Sequence, residues 1–132
     1  MSKTCDWMAR FPDSTKLVHM NLPRTHNTAT WNYSAATQAS LVHYTEKSIF
    51  QRLNDGVCIF DLRIAYNPGN DTIGFHHSTV MLAPHTNVED VFFGFHNWLD
   101  NHPTKAMLIS INFEGGTGTL NDVQLQTHLH DI

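Results

Sequence analysis

The chain has 132 residues, 41% hydrophobic and 15% charged, enough for one domain with a core of its own. Eight basic against twelve acidic residues leave a net charge of −4, so there is no basic field to release counterions from nucleic acid and no polybasic patch to hold an anionic membrane. The two cysteines, Cys5 and Cys58, form neither a disulfide framework nor a zinc spacing, and no run reaches the ~18 apolar residues of a membrane-spanning helix.

Residues 1–15 are polar with Trp7, Met8 and Phe11 interspersed, which predicts an irregular arm or short helical turn packed on the body. No apolar signal stretch opens the chain, and a cytoplasmic or peripheral-membrane location is expected. Apolar residues at Val18, Met20 and Leu22 alternate, predicting a first strand over residues 16–22. Pro23 stops it. The loop Arg24-Thr25-His26-Asn27-Thr28 then presents a histidine at the strand end, a place where rigid scaffolds carry reactive side chains. Residues 24–43, with Trp31 and Tyr33, have no clean period and read as a site loop running into helix. Thr45 is the candidate cap of a helix whose apolar face is Ile49, Phe50 and Leu53, with Gly56 as its stop.

Val57-Cys58-Ile59-Phe60 is a continuous apolar run, predicting a strand covered on both faces and ending at Asp61-Leu62-Arg63. Asn67-Pro68-Gly69-Asn70 signals a turn, and Thr72-Ile73-Gly74-Phe75 leads to His76-His77. Too few residues separate Arg63 from Thr72 for a helical crossover, so the two strands are expected to form a hairpin that sets Arg63 opposite His76. Asn87 caps the clearest helix. Glu89 and Asp90 lie in its first turn, Val88, Val91, Phe92, Phe95, Trp98 and Leu99 make a core face, and Pro103 lies past the end. Residues 105–112 read as another buried strand, leading into Asn112, Phe113 and Glu114 and a Gly-rich connection that lacks the lysine of a phosphate-binding loop. A last helix is expected from about Leu120. It runs to Ile132 with no cap or polar tail, so a fragment of something longer is expected.

Strands and helices alternate, with polar groups at strand ends. The expected class is α/β, with the logic of a βα barrel whose site is built from loops on one face. Four strands are expected where a closed barrel has eight. Of the ten histidines, His19, His43, His85, His96, His102, His128 and His130 show no metal-ligand spacing.

Four motifs then carry a resemblance. Pro23-Arg24-Thr25-His26-Asn27-Thr28, Ile59-Phe60-Asp61-Leu62-Arg63, Phe75-His76-His77 and Leu108-Ile109-Ser110-Ile111 follow one another at a family spacing. With Asp6-Trp7-Met8 and Asn101-His102-Pro103, the sequence resembles the phosphatidylinositol-specific phospholipase C X domain, in its bacterial and fungal, single-domain form. The resemblance implies a distorted TIM barrel of which residues 1–132 supply the N-terminal half. It implies cleavage of phosphatidylinositol into diacylglycerol and inositol 1,2-cyclic phosphate by a monomer at a membrane surface. His26 would be the general base and His77 the general acid, with Arg63 stabilising phosphoryl charge. Asn27, Asp61, Asn112 and Glu114 would be substrate contacts, and Arg24, which stands where the family has a glycine, is a further candidate contact that could reach a phosphate or obstruct the pocket. No cofactor and no metal are implied, because the calcium-dependent relatives carry a carboxylate where Arg63 stands, and a guanidinium cannot ligate calcium. The sequence departs from the family where glycines are usual, at Arg24 and Ser78. The family's aspartate that orients the base histidine belongs to a C-terminal half with no counterpart here. The alternatives are action on another phospholipid and a catalytically impaired module that binds lipid head groups.

Overall fold

A computed structural model describes residues 7–30, 47–69 and 71–132. The α/β expectation holds. One four-stranded sheet has the order β3-β2-β1-β4, formed by β1 (Ile59–Tyr66), β2 (Ile73–His77), β3 (Val80–Met81) and β4 (Leu108–Phe113). Among the described residues three α-helices accompany it: α1 (Ile49–Asn54), α2 (Val88–Asp100) and α3 (Val123–His130). Thr45, Trp31 and Tyr33 lie outside the described residues.

β1 is the centre of the sheet. It pairs parallel with β4, from Ile59 opposite Leu108 to Ile64 opposite Phe113, and antiparallel with β2, from Ile64 opposite Phe75 to Tyr66 opposite Ile73. One more step of that register sets Arg63 opposite His76, as the turn chemistry predicts. Gly69 makes this possible, since its φ of 106° is one that side chains other than glycine's rarely adopt. Alternation then sorts β1 by face. Phe60, Leu62 and Ile64 are fully buried with Phe75, Leu82, Val88, Val91 and Phe95. Phe60 and Phe95 lie 5.5 Å apart, centroid to centroid, and each ring so buried contributes about 1.5–3 kcal/mol. Asp61 and Arg63 take the other face.

The helices follow their local signals. The Ser48 hydroxyl accepts from the Gln51 N–H while the Gln51 side chain accepts from the Ser48 N–H, so α1 starts on a capping box at Ser48. Gly56, with φ 96°, stops it. In α2 the Asp90 carboxylate accepts from the Asn87 N–H at 2.9 Å. The N-terminal turn Trp7–Arg10 is packed on the body, its Trp7 indole N–H donating to the Gly56 carbonyl at 3.0 Å. Cys58 is free and buried.

Four expectations need correction. Residues 16–22 are not a strand: Leu17–His19 form a 3₁₀ turn and Val18 is 83% exposed. The alternation there has no sheet to lie on, because the segment meets β1 two residues later, through a lone parallel bridge between Arg24 and Ile59. β1 does not end at Asp61-Leu62-Arg63 but runs to Tyr66. The strand over 105–112 begins at Leu108 and is not buried. Among the described residues it is a sheet edge, with Leu108, Ile111 and Phe113 exposed. The last helix starts at Val123 rather than Leu120, where the Asp122 carboxylate accepts from the Leu125 N–H at 3.0 Å.

Gly74 on β2 lies under the Asn67 side chain, so that a Cβ there would stand 2.1 Å from Asn67 Oδ1. Asn67 in turn donates to Thr72 and Asn87 and meets His76. Gly74→Ala is expected to cost about 1–3 kcal/mol, read as a lowered midpoint in urea at unchanged slope. An unchanged midpoint would show that the Asn67 network yields freely.

Candidate active site

Asp61 gathers the site. Its carboxylate Oδ2 lies 2.8 Å from His26 Nδ1 and accepts a long bond from the Asn27 N–H at 3.4 Å. Oδ1 accepts from Asn112 Nδ2 at 2.9 Å. Arg63 Nε stands 3.9 Å from Oδ2. Three chain segments that are remote in sequence thus meet on one buried carboxylate, which suits the rule that a buried charge needs donors around it.

The loop carrying His26 is stapled to β1 by its own backbone. The Thr25 N–H donates to the Ile59 carbonyl and the Thr28 N–H to the Asp61 carbonyl, both at 3.0 Å. The Asp61 N–H donates back to Thr28 Oγ1 at 3.1 Å, and Thr25 and Thr28 hydroxyls bond each other at 2.7 Å. Asn27 turns the chain between them at φ 47°, a left-handed conformation that asparagine tolerates better than most residues. Thr28, Ala29 and Thr30 are buried behind it. His26 itself is held outward, with its side chain 61% exposed.

A cleft of about 320 Å³ opens at this point, lined by Arg24, Thr25, His26, Ile59, Asp61, Arg63, Ser110 and Asn112. Of the residues singled out in the sequence, Arg24, His26, Asp61, Arg63 and Asn112 therefore come together. Asn27 is buried beneath the loop rather than lining the cleft. Glu114 sits beside it, joining Arg63 to the β2–β3 turn: Oε1 accepts from Arg63 Nη1 at 3.1 Å and Oε2 from the Ser78 N–H at 2.9 Å. Ser78 adopts φ 55°, the left-handed turn position at which the sequence resemblance places a glycine. His77 ends β2, half-buried and paired with Val80, and is not among the residues lining the cleft. Among the described residues no group of three acidic, histidine or cysteine side chains is placed to hold a metal.

Sequence reasoning names Asp61 a substrate contact and did not foresee its pairing with His26. The available signal was its place two residues before Arg63 on one strand, which puts both on one face. It also missed Ser110 and Thr25 as lining residues, and Asn67.

His76, one residue before His77, is buried on the other face of β2 from Phe75. Nε2 lies 3.3 Å from Asn67 Oδ1, and Nδ1 is buried without a partner among the described residues. Burial pushes its pKa down, and the nearby Glu114 charge opposes this in part. In the unfolded chain the same imidazole takes up its proton near the ordinary histidine pKa of about 6.5. The native state then binds fewer protons below that pH, and stability falls as pH drops from about 6.5 toward the depressed native value. His76→Gln is expected to flatten the difference in unfolding free energy between pH 7 and pH 5, measured by denaturant titration. An unchanged slope would assign the acid sensitivity to other groups.

Comparison with known proteins agrees with the motif reading. No family model matches the chain. The chain is 27% identical to PI-PLC X domain-containing protein 1 of Mus musculus, over 92% of this chain and 43% of that protein. It is 22% identical to the 1-phosphatidylinositol phosphodiesterase of Listeria monocytogenes, over 93% and 37%. A phosphatidylinositol-specific phospholipase C structure from S. aureus superposes with a TM-score of 0.78 at 18% identity, covering 96% of this chain and 42% of that one. The Listeria monocytogenes phospholipase structure gives 0.75 at 21%, covering 97% and 46%. The chain thus spans less than half the length of the curated relatives it matches. The likeness to this family is present in sequence and, separately, in fold.

Proposed function

We propose, with that kinship to the phosphatidylinositol-specific phospholipase C X-domain proteins as the premise, that this chain carries the base side of a phosphodiester-cleaving site for phosphatidylinositol. The observation that carries the reading is the 2.8 Å pair of His26 and Asp61 at the edge of a cleft that also holds Arg63. A carboxylate accepting from Nδ1–H fixes the tautomer that leaves the Nε2 lone pair free to take a proton, and it favours the imidazolium once formed.

The reaction then runs in one displacement. His26 Nε2 removes the proton of the inositol 2-hydroxyl as its oxygen bonds to phosphorus, closing the ring of inositol 1,2-cyclic phosphate. The bond from phosphorus to the glycerol oxygen breaks. His77 gives its proton to that oxygen and diacylglycerol leaves. Arg63 faces the charge on the non-bridging oxygens, where a fixed cation contributes most in the transition state. No metal enters these steps, since a guanidinium occupies the position that the calcium-dependent relatives give to a carboxylate.

A second reading has its own support. Arg63 is already engaged by Glu114 and Asp61, and His77 stands outside the cleft lining. Both favour a module that binds a phospholipid head group with impaired turnover.

Phosphorus NMR of phosphatidylinositol vesicles in EDTA separates the two. The expected result is a cyclic inositol phosphate signal, reduced about 10²–10⁴-fold in His26→Ala and in His77→Ala, in line with general acid–base contributions. Asp61→Asn is expected to lower the rate and to shift the acid limb of its pH profile, because it alters the base without removing it. Vesicle binding with no phosphorus turnover, by a correctly folded chain, would establish the binding module instead.

A further inference from the structure

The cleft holds two guanidinium groups, and they are not equivalent. Arg63 donates to Glu114 at 3.1 Å and stands 3.9 Å from Asp61. Its charge is answered twice over. Arg24 also lines the cleft, is exposed, and takes part in no ion pair or side-chain hydrogen bond among the described residues.

The backbone around Arg24 is nonetheless fixed. Arg24 bridges to Ile59 on β1. The Pro23 carbonyl before it accepts from Cys58 and Ile59, and the Thr25 N–H after it donates to the Ile59 carbonyl. A solvated surface arginine usually hangs from a mobile loop or covers apolar surface with its stem. This one stands on a pinned segment at the mouth of a cleft, two residues before His26.

Charge decides what the cleft can take. Among the described residues, and without Arg24, the fixed charges at the site are one cation, Arg63, against two carboxylates, Asp61 and Glu114, and an anion entering there is repelled. With Arg24 the sum is neutral, and the one positive charge not already paired belongs to Arg24. A planar guanidinium also matches phosphate oxygens two at a time, which a lysine cannot do. About 320 Å³ is room for a phosphate with part of a polar ring attached.

We propose that Arg24, rather than Arg63, is the anchor on which this cleft first holds the phosphate of its ligand, and that Glu114 keeps Arg63 in reserve until that phosphate is bound. The proposal rests on the reading of the cleft as a phosphoryl site. It assigns a phosphate-bearing ligand, whether a lipid head group or a free phosphate ester.

Calorimetric titration with inorganic phosphate and with glycerophosphoinositol tests it, beside sedimentation with phosphatidylinositol vesicles to tell a lipid head group from a soluble ester. Arg24→Ala is expected to weaken binding of both soluble probes at least tenfold, with Arg24→Lys between it and the parent. Arg63→Ala is expected to weaken it less, and Glu114→Gln to strengthen it by releasing Arg63. Arg24 is exposed, so Arg24→Ala folds, as circular dichroism would record. The proposal is overturned if Arg24→Ala binds the soluble probes as the parent does, if Arg63→Ala loses more than Arg24→Ala, or if the parent binds neither probe. Should vesicles go uncleaved while phosphate binding still depends on Arg24, the lyase reading fails and this assignment stands. Cleavage with phosphate affinity indifferent to Arg24 gives the reverse.

Discussion

Everything distinctive about the site depends on one buried carboxylate in the middle of a strand. Asp61 holds His26 from the first loop, Asn112 from β4 and the backbone of Asn27, with Arg63 close by. A buried carboxylate is costly unless donors surround it, and here the donors come from segments that only the folded sheet brings together. The cost of burying Asp61 is therefore offset by assembling the site. Histidine, strand and loop cannot be placed independently of one another.

The sheet supplies the rigidity this requires. β1 is flanked on both sides, parallel to β4 and antiparallel to β2, so its side chains have no freedom to slip by a residue without exchanging Phe60, Leu62 and Ile64 for Asp61 and Arg63 in the core. Glu114 repeats the logic at the far end, tying Arg63 on β1 to the Ser78 turn beyond β2. Two carboxylates from neighbouring strands thus set the position of the arginine between them.

How much of this was legible in the sequence follows from how local each signal is. The β1–β2 hairpin was legible to the residue, because Asn67-Pro68-Gly69 fixes the turn and the turn fixes the register. The α2 helix was legible from its period and its acidic first turn. The strand over 16–22 was misread because alternation reports a pattern without reporting a partner, and those residues pair with no strand among the described residues. The burial of β4 was misread for a related reason: Leu108-Ile109-Ser110-Ile111 shows how apolar a strand is, not whether another strand lies beside it. β1 looked shorter than it is because Asp61 and Arg63 interrupt its apolar run, although their spacing is what alternation requires. The pairing of His26 with Asp61 left no local trace, since it depends on loop and strand meeting across the fold.

The two pairings of β1 also differ in how far the chain must travel to make them. β2 returns to β1 through a tight turn, while β4 arrives only after the chain has passed through β3 and the whole of α2. Loop-closure entropy grows with that distance, and contacts close in sequence form sooner. Arg63 and His76 thus face each other across a short loop, while the bonds of Asp61 to Asn112 and of Arg63 to Glu114 close a much longer one. Within the site, the bond by which Glu114 restrains Arg63 is thus among those that close the longest stretch of chain.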